Sequence, residues 1–107
     1  MFADLPVQGY LTPDFQNTSV GNIVVFECSI DGEDGYPKTH QYKWYPDYNE
    51  TNERIAPESI FELEAKDEGY DGTYNCCPGN TVGFAPCGSG QLHVSSKYAF
   101  LTEFILP

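Results

Sequence analysis

The stretch Asp71-Gly72-Thr73-Tyr74-Asn75-Cys76 places a tyrosine two residues before a cysteine, and it decides the fold of this chain. Upstream, Cys28 lies in the β-branched and aromatic run 22–30, and Trp44 follows it by 44 − 28 = 16 residues. This order of cysteine, tryptophan, tyrosine and cysteine is typical of two-sheet β-sandwiches, in which an indole packs over sulfur atoms between the sheets. The pattern predicts an all-β domain that forms in an oxidising environment.

The length and charge of the chain narrow the class of protein. Its 107 residues are the size of one domain with a single core. Lysine and arginine number 5 against 16 acidic residues, for a net charge of -11. Such a surface repels a nucleic acid or an anionic bilayer, so we expect no nucleic-acid partner. No stretch reaches the roughly 20 apolar residues of a membrane helix, and we expect no membrane insertion by this segment.

Four cysteines and two acceptor sequences for N-linked glycans agree with passage through a secretory compartment. The acceptor sequences begin at Asn17 and Asn49, and we expect glycans at both where the source compartment adds them. Residues 1–4 have neither the basic start nor the apolar run of a signal peptide, so we interpret Met1 as an added start on a mature chain. The expected location is extracellular.

Alternating apolar residues predict the strands around the pattern. In the run 22–30, Val24, Phe26, Cys28 and Ile30 share one face. The same period of two predicts further strands over 39–45, over 59–65, around Tyr74 and after Pro86. Their inward residues are Tyr42, Trp44, Phe61, Leu63, Tyr74, Cys76, Leu92 and Val94. Only about fifteen residues separate Trp44 from Ser59, which leaves no room for a full pair of extra edge strands.

From about Pro6 to Ser96, the chain resembles a domain of the immunoglobulin superfamily, since its cysteines, tryptophan and tyrosine fall at that family's relative positions. The resemblance implies an immunoglobulin-like, two-sheet Greek-key sandwich over residues 1–97. Residues 98–107 would then form a C-terminal extension or the start of a linker to a following domain.

By the same resemblance, Cys28 pairs with Cys76, and the Tyr74 hydroxyl bonds to the backbone of the preceding turn. The position that in the family commonly holds an aspartate paired with arginine is Tyr70 here, followed by Asp71. We therefore expect Arg54 to find another carboxylate.

Two further details of the sequence point to different types of immunoglobulin domain. The separation 76 − 28 = 48 is short for variable-type domains and nearer that of intermediate or second constant-type domains. In contrast, Gly88-Ser89-Gly90 is similar to the glycine motif that opens the last strand of variable-type domains, although one residue is missing before Leu92. Mixed domains with extra cysteines resemble the membrane-distal domains of invertebrate recognition receptors, including cnidarian allorecognition proteins.

The adjacent pair Cys76 and Cys77 requires a second disulfide. Neighbouring residues of a strand point to opposite faces, so the two cannot both enter the core. With Cys28 and Cys76 paired by resemblance, Cys87 is the partner left for Cys77, and a hairpin return over 87 − 77 = 10 residues can bring it opposite. This bridge would hold Val82 and Phe84 in a constrained tip.

The outward residues of the predicted sheets differ in charge. One sheet presents Glu27, Glu62 and Glu64, whereas the other is nearly neutral. Because interface centres are poor in charge and rich in tyrosine, the neutral face is the better candidate for partner contact. The predicted contact residues are Lys43, Tyr45, Asn75, Gln91 and His93 on this face, and Val82 and Phe84 at the tip. The alternative for Phe84 is that it folds back onto the sheet as packing.

These features predict a recognition or adhesion module, an ectodomain fragment of a cell-surface receptor. Its partner is a protein, and a second copy of the domain is one candidate. Two copies of charge -11 can dock closely only through a charge-poor patch. The alternative is a secreted soluble ligand or decoy domain. An intracellular load-bearing module is disfavoured, because such domains generally keep their thiols reduced.

Catalysis and cofactors are not expected. His40 and His93 have no serine or cysteine tied to them by a motif, which argues against an enzyme. Cys77, Cys87 and His93 match no zinc-finger spacing, and the acidic loop 31–35 lacks the ligand spacing of a calcium-binding loop. We expect no metal site.

Overall fold

A computed structural model of the chain describes residues 3–47 and 53–96. In this part the chain forms eight strands and a one-turn 3-10 helix. The elements are β1 (Gly9–Thr12), β2 (Phe15–Ser19), β3 (Ile23–Ile30), β4 (Gln41–Pro46), β5 (Arg54–Ala56), β6 (Ile60–Glu64), the helix (Glu68–Tyr70), β7 (Gly72–Gly79) and β8 (Gly88–Ser95). The predicted extension at 98–107 and the acceptor residue Asn49 lie outside the described residues.

The strands form two sheets, which confirms the all-β, immunoglobulin-like sandwich. One sheet has the order β1-β3-β6 and the other the order β2-β8-β7-β4-β5. Although β1 and β2 are consecutive, they belong to different sheets: β1 pairs antiparallel with β3, and β2 pairs parallel with β8. Between β4 and β6 the described residues contain a single short edge strand, β5, in agreement with the limited length of this segment.

The core lies between the sheets and holds the predicted inward residues. Val24, Phe26 and Cys28 alternate along β3 and are buried. The predicted bridge between Cys28 and Cys76 is confirmed, and it joins the two sheets through their centres. Trp44 is opposite Cys76 in the register, and its ring stacks on Phe61 from the other sheet, with 4.9 Å between ring centres. The central strands of the two sheets are therefore fixed covalently and by aromatic packing.

The turn before β7 is held by side-chain hydrogen bonds. The hydroxyl of Tyr74 donates to the carbonyl of Tyr70 in the 3-10 helix, as the resemblance implied. Asp71 binds a different partner from the one usual in the family: its carboxylate accepts from the Val94 amide at 2.9 Å and contacts Nδ1 of His93 at 2.7 Å. The expectation that Arg54 finds a carboxylate is not met in the described residues, where its guanidinium lies 5.5 Å from the centre of the Phe61 ring.

Two glycines allow β1 to pass close to β8. A Cβ placed on Gly88 would lie 2.6 Å from the carbonyl oxygen of Gly9, and a Cβ on Gly9 would lie 2.8 Å from the amide nitrogen of Gly88. Real Cβ atoms do not approach backbone atoms so closely. The first glycine of the motif Gly88-Ser89-Gly90 is thus required by the contact between the first and last strands of the sandwich.

Replacing Gly88 should separate these strands. We expect Gly88→Ala to lower the free energy of unfolding by about 1 to 3 kcal/mol, the usual cost of overpacking. Gln91→Ala, at an exposed position of the same strand, should change it by less than about 0.5 kcal/mol. Urea unfolding of both variants measures the difference, and equal stabilities would contradict the close approach.

Candidate recognition surface

The predicted contact residues lie on the outer face, defined here as the side of the five-stranded sheet that is turned away from β1, β3 and β6. The register fixes their positions. Lys43 on β4 is opposite Cys77 on β7 and Ile55 on β5, and Tyr45 is opposite Asn75. Gln91 on β8 is beside Thr73. Except for the tip, the predicted set therefore shares one side of one sheet.

Asn75 belongs to the interior of this face rather than to its surface. It was expected to point outward into solvent, yet only 6 % of it is exposed. Its amide nitrogen donates to the Asp47 carboxylate and, at 3.3 Å, to the Tyr45 carbonyl, while its amide oxygen accepts from the Ser89 hydroxyl at 2.7 Å. Asn75 thus ties β4, β7 and β8 together, and its hydrogen-bonding groups are occupied within the domain.

Cys77 also points to the outer face and is nevertheless fully buried. The predicted bridge from Cys77 to Cys87 is confirmed. The segment that returns from the tip covers Cys77: Ala85 donates from its amide to the Pro78 carbonyl at 2.8 Å. The adjacent cysteines therefore face opposite sides of the strand, as predicted, and a segment distant in sequence buries the second one.

Phe84 folds back onto the sheet, as the alternative for this residue proposed. Its ring is half-buried and lies against Gly79, where an added Cβ would come within 2.5 Å of it. Nζ of Lys43 lies 4.9 Å from the ring centre, within range of a cation–π interaction. Phe84 and Lys43 thus form one contact, and Lys43 presents the positive charge of the outer face.

Val82 lies at the tip of a tight hairpin. The backbone groups of Asn80 and Gly83 exchange hydrogen bonds of 3.0 and 3.2 Å, which leaves Thr81 and Val82 as the two tip residues. Val82 is 47 % exposed. An apolar side chain in this position is available for contact with a partner.

Asn80 holds this hairpin to two other segments and was missed by sequence reasoning. Only 1 % of it is exposed. Its amide nitrogen donates to the carbonyls of Asp4 at 2.6 Å and Pro37 at 2.9 Å, and its oxygen accepts from the Val82 amide at 2.9 Å. A polar residue in a turn is normally exposed, so the local sequence did not indicate that Asn80 is buried and joins separate segments of the chain.

Gln91 and His93 are exposed on β8, beside two residues that were not predicted to be near them. The parallel pairing with β2 places Phe15 next to Gln91 and Asn17 next to His93. Both β2 residues are exposed, Phe15 to 52 %. The pairing of β2 with β8 could not be recognised from local sequence. The alternation of apolar and polar residues shows which side of a strand points inward, but it does not show which sheet the strand joins.

The opposite surface of the sandwich, on β1, β3 and β6, carries the expected acids and an unexpected set of apolar side chains. Glu27, Glu62 and Glu64 are all exposed there. Between them lie exposed apolar residues, which are Tyr10, Ile23, Val25 and Ile60. The outer face, with Lys43 against Asp47 and Asp71, carries less negative charge than this surface.

The described residues, 3–47 and 53–96, hold neither a metal-binding cluster nor a membrane-spanning helix. No group of three or more histidine, cysteine, aspartate or glutamate side chains there could hold a metal ion. Within the same residues, no helix is long and apolar enough to cross a bilayer.

Burial, and secondarily the carboxylates of Asp34 and Glu27, raise the pKa of Tyr42 above its ordinary value of 10.0. The Tyr42 hydroxyl is therefore neutral near pH 7.

The chain is similar to known proteins in its structure rather than in its sequence. No family model matches the sequence, and no curated protein matches it. Among solved structures, the chain is similar to the N-terminal four immunoglobulin domains of Dscam1 isoform 4.44, with a TM-score of 0.65, 22% identity and 84% of this chain covered. The fold is that of an immunoglobulin domain.

Two further structures give the same result. Dscam1 isoform 1.9 aligns with a TM-score of 0.62 and 25% identity over 84% of this chain. A structure described as the basis for Dscam isoform specificity aligns with a TM-score of 0.65 and 22% identity over 85%. The chain covers 21% of each of these three structures.

Removal of the outer disulfide should weaken the domain without abolishing its fold. On the chain-entropy model, Cys77→Ala combined with Cys87→Ala should lower the free energy of unfolding by about 3 kcal/mol. The bridge between Cys28 and Cys76 closes a longer loop and lies in the core. Its removal by the matched change to alanine should therefore lower the free energy of unfolding by about 4 kcal/mol or more. Thermal unfolding followed by circular dichroism ranks the two variants. The reverse order would contradict the placement of Cys77 outside the core.

Loss of Asn80 should loosen the tip. Asn80→Ala leaves the Val82 amide and the Pro37 carbonyl without this partner, and we expect a loss of about 2 kcal/mol. Amide hydrogen exchange at Val82 should become faster. Thr81→Ala, at the exposed neighbouring position, should change stability by less than about 0.5 kcal/mol. An unchanged rate of amide hydrogen exchange at Val82 in Asn80→Ala would contradict the proposal that Asn80 holds the hairpin in place.

Proposed function

We propose that this domain is an extracellular recognition or adhesion module that binds a protein partner through its outer face, and that the partner is a second copy of the same domain. The two disulfides fit an oxidising, extracellular location. Such a module would serve cell–cell or self/non-self recognition in a cell-surface receptor, allorecognition included.

The observation that carries the proposal is the composition of the outer face. Tyr45 is partly exposed there, beside the charge of Lys43 and the apolar side chain of Ile55, which is 52 % exposed. Interface centres favour such a mixture of aromatic and apolar groups with few carboxylates. The opposite surface also exposes apolar side chains, but Glu27, Glu62 and Glu64 lie among them and would repel a docking copy.

The rigidity of the face supports the same proposal. The hydroxyl of Tyr45 reaches Sγ of Cys87 at 4.0 Å, and Asn75 accepts and donates hydrogen bonds beneath it. A partner therefore meets side chains that are already ordered, and binding loses less conformational entropy than it would with a mobile surface. The hairpin with Val82 is constrained in the same way by Asn80.

The charge of the chain predicts how self-association depends on salt. Two copies, each of net charge -11, repel at long range. Between about 0.01 M and about 1 M salt the screening length falls from about 30 Å to about 3 Å. We expect the dimer fraction in sedimentation equilibrium to rise over this range. A monomer at every salt concentration and at high protein concentration would contradict homophilic binding.

A charge reversal on the face tests where the contact lies. Lys43→Glu changes the net charge from -11 to -11 − 2 = -13 and places the new negative charge on the outer face. Lys66→Glu makes the same change at an exposed position just after β6, which is a strand of the other sheet. We expect Lys43→Glu to weaken association at least tenfold more than Lys66→Glu, since close like charges at an interface cost several kcal/mol. Equal effects would show that net charge alone controls association.

A further inference from the structure

The edge strand β2 combines an exposed aromatic ring with a glycan acceptor. Its sequence is Phe15-Gln16-Asn17-Thr18-Ser19, in which Asn17-Thr18-Ser19 meets the rule for N-linked glycosylation. Residues two apart on a strand share one side, so Phe15 and Asn17 point the same way. Both are exposed, which makes Asn17 accessible and leaves the Phe15 ring without a place in the core.

The surroundings of the pair are open on the outer face. Phe15, Asn17, Thr73, Gln91 and His93 border one depression of about 430 Å³. Side chains two positions apart on a strand are spaced by about 7 Å along it. A sugar joined to the side chain of Asn17 therefore starts within reach of the Phe15 ring.

The chemistry of the ring suits a sugar. The face of an aromatic ring is electron-rich and attracts weakly positive hydrogen atoms. One side of N-acetylglucosamine consists of C–H groups and can lie flat on such a face. In water an exposed phenylalanine on an edge strand has no such partner and is a liability for sheet-to-sheet pairing.

We propose that Asn17 carries an N-linked glycan and that its first N-acetylglucosamine packs on Phe15, so that the modification stabilises the domain. In the transfer, Nδ2 of Asn17 forms a bond to C1 of the first sugar of a lipid diphosphate-linked oligosaccharide. The bond from C1 to the diphosphate breaks, the lipid diphosphate leaves, and Nδ2 loses one proton. No atom is oxidised or reduced.

A glycan at this place would also restrict the contact surface. It would lie over Gln91 and His93, and it would shield β2 from pairing with another sheet edge. Partner contact would then be confined to the part of the outer face around Lys43 and Tyr45. This last consequence rests on the proposed function, whereas the packing of the sugar on Phe15 does not.

The test uses the chain secreted from a glycosylating eukaryotic host, with Asn49→Gln present throughout so that only one acceptor remains. Mass spectrometry should find Asn17 occupied. The melting temperature is compared between the intact glycan, the glycan trimmed enzymatically to a single N-acetylglucosamine, and the Ser19→Ala variant, which cannot be modified. We expect the first two forms to melt together and about 4 °C above the third, since a single contact of this kind shifts a domain of this size by that amount.

Variants of Phe15 test whether its ring is the source of the gain in melting temperature. In Phe15→Ala, and in Phe15→Leu, which keeps an apolar side chain without a ring, the difference between modified and unmodified forms should fall below about 1 °C. An unmodified Asn17 in the secreted protein, or an undiminished gain in Phe15→Ala, would overturn the proposal. A domain that stays monomeric at all salt concentrations would overturn the homophilic function and leave this result unaffected.

Discussion

The two adjacent cysteines of β7 form the constraint on which the rest of the structure depends. Cys76 turns inward and joins Cys28 across the core, whereas Cys77 turns to the other side of the sheet and joins Cys87. One strand is thereby fixed to the facing sheet and, through the next residue, to the returning segment after the hairpin. Both cysteines are buried, and a covalent bond fixes each side of the strand.

Much of the fold could be predicted because the period of a strand is local information. The alternation that buries Val24 and Phe26 on β3 and Leu92 on β8 is visible in a few residues of sequence. The pairing of Cys28 with Cys76 and the role of Tyr74 followed from resemblance, since their spacing is shared with a known family. These features can be inferred from short sequence patterns and from the resemblance, without knowing which distant segments pair.

The outer face was harder to predict, because burial there depends on residues far apart in sequence. Asn75 is covered through contacts with Asp47 and Ser89, and neither lies within ten residues of it. Likewise, the placement of Phe15 beside Gln91 depends on the crossing of β2 to the second sheet. The contact residues on exposed strands therefore stay predictions, while the framework beneath them is described in detail.

The short hairpin separates two positions that hold the fold from two positions that are free to vary. Asn80 is buried and Gly83 has a φ of 151°, so neither end of the turn tolerates exchange readily. Thr81 and Val82 are exposed between them. Substitutions at Thr81 and Val82 would therefore change the surface of the tip while the buried side chain of Asn80 and the backbone at Gly83 stay as they are.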